Sequence, residues 1–132
     1  MVEFNSEMRK LLDSKMLGRL ATASRDAKPH AVAIWFIFHN DSIYFATSDG
    51  SKKLRNIQEN PSVSFVVDDE IWDKPHSLMI FGQAEVLFPG TTKFNEIFEL
   101  ICERYPPERD YHSPKSRIVK ITPNKLVYWR KK

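Results

Sequence analysis

The sequence predicts a mainly β fold, a six- to seven-stranded antiparallel β-barrel, closed or nearly closed, with two or three flanking α-helices. Three observations predict it. Short runs rich in β-branched and aromatic residues follow one another with turn-forming residues between them. Several of those runs are apolar on both faces, which an open sheet with one wet side does not tolerate. Between them the spacing of apolar residues switches to the three-and-four interval of a helix. Closing the sheet removes its edges, and with them the exposed N–H and C=O groups that invite another strand. At 132 residues the chain is one domain, spanning 1–132, large enough to bury a core without disulfides or metals.

The elements follow in order. Phe4, Met8, Leu11, Leu12 and Lys15 lie at helical intervals over 4–17, with Asn5 or Ser6 as the cap and Gly18 as the stop. Three β-type runs come next, "GRLATAS" (18–24), "PHAVAIWFIF" (29–38) and "SIYFAT" (42–47), parted by "RDAK" and "HND", the pattern of a meander. The middle run is apolar on both faces and predicts a central strand, one face on the core and the other on a partner surface. Ser51 to Asn60 reads as a short helix with Leu54 and Ile57 inward and a stop before Pro61. "VSFVVDD" (63–69) is a fourth strand; "LMIFGQAEVLF" (78–88), bending at Gly82, is a fifth; "DEIWDKPHS" is the loop between. Pro89, Gly90 and Thr91 introduce another amphipathic helix whose apolar positions are Phe94, Ile97, Phe98 and Ile101, ended by Tyr105. "PPERDYHSPK" reads as a loop, followed by a sixth strand "RIVKIT", a turn at "PNK" and a seventh strand "LVYWR".

Composition narrows the function classes. Hydrophobic residues make up 42% and charged residues 28%, ordinary values for a globular protein. The longest apolar run, Ala31 to Phe38, is far too short to span a bilayer. The N-terminal residues carry acids and no signal-type apolar core, so a cytoplasmic location is expected, with no membrane partner. Cys102, the single cysteine, sits at helical spacing within "FELICERY" and reads as a small buried hydrophobe. The net charge of +3 allows an anionic partner, but no basic and aromatic interleaving suggests nucleic acid. His30, His39, His76 and His112 show no metal-ligand spacing, so no metal is expected. Phe36, Phe38, Phe45, Phe65 and Phe81 keep the strand period and read as core. Trp35, Trp72 and Trp129 are more open, each offering a flat face and a donor.

One stretch asks for a chemical reason: "FATSDGSKKLRN", residues 45–56. A helix beginning at Ser51 leaves the first backbone N–H groups unpaired and its dipole positive end exposed, so Lys52 and Lys53 stand where cations cost up to about 1 kcal/mol and acids are favoured. A phosphate reverses that balance by accepting the free amides, the Thr47 and Ser51 hydroxyls and an ammonium group.

These residues, in this order, resemble a known family. "LGRLATASRDAKPHAVAIWFIFHNDSIYFATSDGSKKLRNIQENPSVSFVVDD", then "FGQAEVL" and "RIVKITPNKLVYW", are similar to the pyridoxamine 5'-phosphate oxidase-like, FMN-binding split β-barrel family over about residues 11–130. The resemblance implies a flavin-dependent oxidoreductase acting on a small-molecule redox substrate, built as a homodimer with the cofactor at the subunit interface. It implies that Thr47, Ser51, Lys52 and Lys53 hold the cofactor phosphate and that Ala46 belongs to the cofactor-binding residues. It implies further that Ala33, Ile34 and Trp35 line the isoalloxazine, and that Gln83 and Trp129 approach from the other subunit. No catalytic side chain is implied, since the flavin carries the redox chemistry. The namesake oxidases have a basic residue near the start of the second strand and a C-terminal segment that holds the substrate phosphate, neither of which is recognised in "HAVAI" or "YWRKK"; the namesake activity is therefore not expected. A related branch of the barrel uses the deazaflavin F420, the alternative cofactor to FMN, and a flavin-binding electron carrier without a dedicated substrate is the alternative to an enzyme.

Overall fold

In the computed structural model of the chain, residues 2–71 and 73–131 are described, so Trp72 lies outside the described residues. The elements are α1 (Ser6–Ser14), β1 (Gly18–Ala23), β2 (Pro29–Ile34), β3 (Ile37–His39), β4 (Ser42–Ser48), α2 (Lys52–Glu59), β5 (Ser62–Asp69), β6 (His76–Leu87), α3 (Thr92–Arg104), a 3₁₀ segment (Pro106–Tyr111) and β7 (Ser116–Arg130). The seven strands form one antiparallel sheet in the order β2-β1-β5-β6-β7-β4-β3. Only Trp35 and Phe36 separate β2 from β3, yet these strands are the two ends of that order. The three steps from Ile34 to Ile37 span at most about 11 Å, so the sheet must curl until its edges nearly meet. The result is the mainly β, nearly closed barrel that the sequence predicts, split along the β2/β3 seam.

Alternation along the strands fills the barrel. Leu20, Phe36, Phe45, Phe65, Ile80 and Ile121 are fully buried in one cluster, with Leu11 and Leu12 of α1 and Leu54 and Ile57 of α2 packed against it. A second cluster sets Phe94, Ile97 and Ile101 of α3, with Cys102, against Ile37, Tyr44 and Ile118 on the outside of the sheet. Cys102 is thus the buried hydrophobe expected, and burial pushes its thiol pKa up. Gly18 does not end α1, which stops at Ser14; it opens β1, where the Phe65 ring occupies the space a side chain would need.

Four other expectations are corrected. The run 29–38 is two strands and not a central one: β2 lies at the sheet edge with Ala31 and Ala33 exposed. The predicted sixth and seventh strands are one, Ser116–Arg130. Across from β7, Phe81 pairs with Lys125 and Gly82 with Pro123, so Asn124 is an extra residue, a bulge rather than a turn. Pro123 is tolerated at such an irregularity, where a ladder N–H is dispensable. Residues 106–111, read as loop, form the 3₁₀ segment. Phe36, Phe45 and Phe65 are core, but Phe81 is exposed on the outer face of β6.

Candidate cofactor site

The start of α2 is built by short-range hydrogen bonds. Thr47, near the end of β4, places its hydroxyl 2.9 Å from that of Ser51. Ser51 is the N-cap: its backbone is extended (φ −64°, ψ 151°) and its Oγ accepts the Leu54 N–H at 3.3 Å. Gly50 makes the preceding turn at φ +89°, a conformation that favours glycine. The turn is pinned from below by the Asp49 N–H, which donates to the Lys115 carbonyl at 2.8 Å, and by the Ser51 N–H to Ser48. The first turn of α2 holds no acid. Lys52 is exposed, while Lys53 is half-buried and burial pushes its pKa down. Asp26 is held low first by the Ser24 hydroxyl and, as the smallest contribution, by the charge of Lys52.

Sequence reasoning missed two residues here. Asn56 shares the face of Lys53 one turn along, is buried, and donates from Nδ2 to Thr22 Oγ1 at 3.0 Å, fixing α2 against β1. His30 stands opposite Thr22 on β2, and its buried Nδ1 is the one side-chain polar atom of its kind without a hydrogen-bond partner among the described residues. A polar residue on the apolar face of a helix was the available signal for Asn56; for His30 there was none beyond its place in the strand. Buried polar atoms are ordinarily paired, which marks His30 as an exception, while at the start of α2 the capping hydroxyls and the half-buried Lys53 ammonium make a donor set that fits an anion.

The remaining predicted residues spread over the barrel. Ala33 is exposed and Ile34 buried at the end of β2. Trp35 follows at the β2/β3 break, its ring stacked on Tyr105 at 4.9 Å and 12°. Ala46 is half-buried and packs against the α3 cluster, away from the barrel interior. Gln83 is exposed on β6 and donates to the Ser62 hydroxyl at 3.0 Å. Trp129, 53% exposed, lies opposite Ser77. Thr47 pairs with Arg117 near the other end of β7, up to roughly 40 Å of extended strand away. One chain therefore brings together Thr47, Ser51 and the start of α2, but not Trp129 with them.

The outer sheet face carries a further pattern. Ala33, Arg19, Val66, Met79 and Val127 form one row of paired positions across five strands. Ala31, Ala21, Ser64, Phe81 and Lys125 form the next, and Met79, Phe81 and Val127 in these rows are exposed. Among the described residues no helix is long and apolar enough to cross a membrane.

An antiparallel sheet curled until its edges nearly meet, with a basic, hydroxyl-capped helix start beside β4, defines the split β-barrel class. Comparison fixes the family: the profile described as pyridoxamine 5'-phosphate oxidase matches residues 4–130, and the chain belongs to that family. It is 30% identical over 119 residues to the 5a,11a-dehydrotetracycline/5a,11a-dehydrooxytetracycline reductase of Streptomyces rimosus, covering 85% of this chain and 72% of that protein. Among solved structures it is similar to a conserved hypothetical protein of Mycobacterium tuberculosis (26% identity, TM-score 0.83, 97% of this chain and 85% of that one). It is also similar to an F420 reductase (27% identity, TM-score 0.73, 96% and 98%).

Proposed function

We propose that the protein is an FMN-binding oxidoreductase that holds the cofactor phosphate at the start of α2. The observation that carries this reading is the Thr47–Ser51 hydroxyl pair at 2.9 Å leading into a first turn with two lysines and no acid. Ser51 and Thr47 supply hydroxyls, Lys53 and Lys52 supply charge, and Ala46 supplies the backbone that leads into the site. The ammonium of Lys53, destabilised by burial, gains most from a dianion. When bound, the flavin supplies transfer of an electron pair or hydride to and from a small-molecule substrate. The chain's own work is to bind, orient and exclude water: Ala33, Ile34 and Trp35 flank the ring system, and no side-chain acid or base is required.

The same reading makes the active form a homodimer. Trp129 is too far along the sheet to complete its own chain's site, and Gln83 and Trp129 both lie on the outer face that presents Met79, Phe81 and Val127. A second copy covering that face would bring them to the cofactor; sedimentation of the wild type and of Phe81→Asp tests this, with a monomeric wild type as the contrary result. The reading takes the protein as cytoplasmic, in keeping with one buried cysteine.

F420 in place of FMN is the second reading, favoured by the likeness to an F420 reductase across nearly the whole of both chains. The test is the visible spectrum of the purified protein and the mass of what denaturation releases. FMN supports the proposal, F420 the alternative, and a colourless protein that takes up neither contradicts both.

A further inference from the structure

Trp35 is an exposed aromatic with a rigid backing. Its ring is stacked on the buried Tyr105, whose hydroxyl accepts the Phe36 N–H at 3.2 Å and lies 2.8 Å and 2.9 Å from the Phe36 and Met16 carbonyls as their donor. Arg104 adds a hydrogen bond to the Phe36 carbonyl at 2.9 Å, another to the Lys15 carbonyl, and a guanidinium 5.3 Å from the Tyr105 ring centre. The indole, 37% exposed, is therefore held in place before any ligand arrives.

Beside it, two exposed apolar side chains meet a charged rim that is acidic on balance. Gly18 pairs with Ile34, which sets Met16 and Leu17, 52% and 48% exposed, beside the same strand end. With Ile71 these two line a cleft of about 470 Å³. Both cations on that cleft are already paired, Lys15 with Asp69 at 3.1 Å and Arg19 with Asp68 at 3.2 Å, and Glu70 adds a further acid to the rim. Nothing there offers a phosphate or carboxylate a free positive charge, whereas a preorganised aromatic face with aliphatic neighbours favours a flat ring.

We propose that the substrate of the flavin site is a planar ring compound without negative charge that stacks on Trp35, with Met16 and Leu17 against its edge. This rests on the flavin reading, in which Ala33 to Trp35 face the cofactor. The test is equilibrium dialysis of three matched probes, 2-naphthol, its 6-sulfonate and decahydro-2-naphthol, against the full chain with and without FMN. FMN is titrated in parallel on every variant. Naphthol is expected to bind the FMN-loaded protein about tenfold or more tighter than the sulfonate or the saturated analogue. Trp35→Leu removes that preference, and so does Met16→Asp, which keeps the proposal testable should the first variant fold poorly. Equal binding of the three probes, or an unchanged preference in a folded variant, overturns the proposal while FMN binding stands. A wild type that binds no FMN overturns the flavin reading, and with it the proposal that the ring compound is a flavin substrate.

Discussion

Removing the Tyr105 hydroxyl, by Tyr105→Phe, isolates the contact that organises the β2/β3 break. The phenylalanine keeps the ring against Trp35 and fills the same volume, so the change is confined to hydrogen bonds 3.2 Å from the Phe36 N–H, 2.8 Å from its carbonyl and 2.9 Å from the Met16 carbonyl. The Phe36 carbonyl retains Arg104, and the carbonyl of exposed Met16 can turn to water. The Phe36 N–H has no such recourse: Phe36 is fully buried, and an orphaned buried donor costs about 1–3 kcal/mol. We expect a loss of about 2 kcal/mol, which for a domain of this size lowers Tm by roughly 6–10 °C in calorimetry. Alkaline pH supplies an internal control. Burial raises the Tyr105 phenol above its ordinary 10.0, so the folded state keeps a proton that the unfolded state sheds, and stability falls as pH rises beyond 10. Phenylalanine has no such loss, so the gap between wild type and variant should narrow above pH 10. A Tm drop under about 2 °C, or a gap that widens with alkali, would refute the reasoning.

Gly82→Ala places a Cβ 2.6 Å from the Thr122 carbonyl oxygen and 2.8 Å from Ile121 Cγ2; because backbone cannot yield cheaply at the bulge, urea unfolding should show a loss of about 1–3 kcal/mol. Lys53, whose pKa burial lowers, costs the ligand-free protein stability while charged, a cost relieved as pH climbs through its lowered value towards 10.5. A bound phosphate favours the charged form, so FMN affinity should weaken as pH rises towards 10.5 in the wild type and change less in Lys53→Ala; identical pH profiles would remove Lys53 from the site.

What the sequence makes legible is what local rules decide. The caps Asn5, Ser51 and Thr91 are where hydroxyl and amide side chains precede apolar spacing, and each accepts an N–H in the folded chain. What it hides is decided at long range. The break in "PHAVAIWFIF" exists because Phe36 gives its N–H and carbonyl to residues 68 and 69 positions away, which no strand pattern reveals. "PNK" has turn composition, yet a bulge opposite Gly82 absorbs it because β6 and β7 stay paired on both sides. In the site, Thr47, Ser51 and the two lysines are readable from helix-end physics, whereas Asn56 and His30 matter only once α2 is laid against β1. Trp129 resists the opposite way, since one chain alone gives it no route to the start of α2.

The central claim, that the start of α2 receives the cofactor phosphate, is tested most directly by titrating FMN and riboflavin, which differ only in that phosphate, into the wild type and into Lys52→Ala/Lys53→Ala. The account predicts that the wild type prefers FMN by about a hundredfold and that the double variant loses at least about tenfold of FMN affinity, about 1.4 kcal/mol, with riboflavin little changed. Equal affinity for FMN and riboflavin in the wild type, or an undiminished preference in the folded double variant, would contradict it.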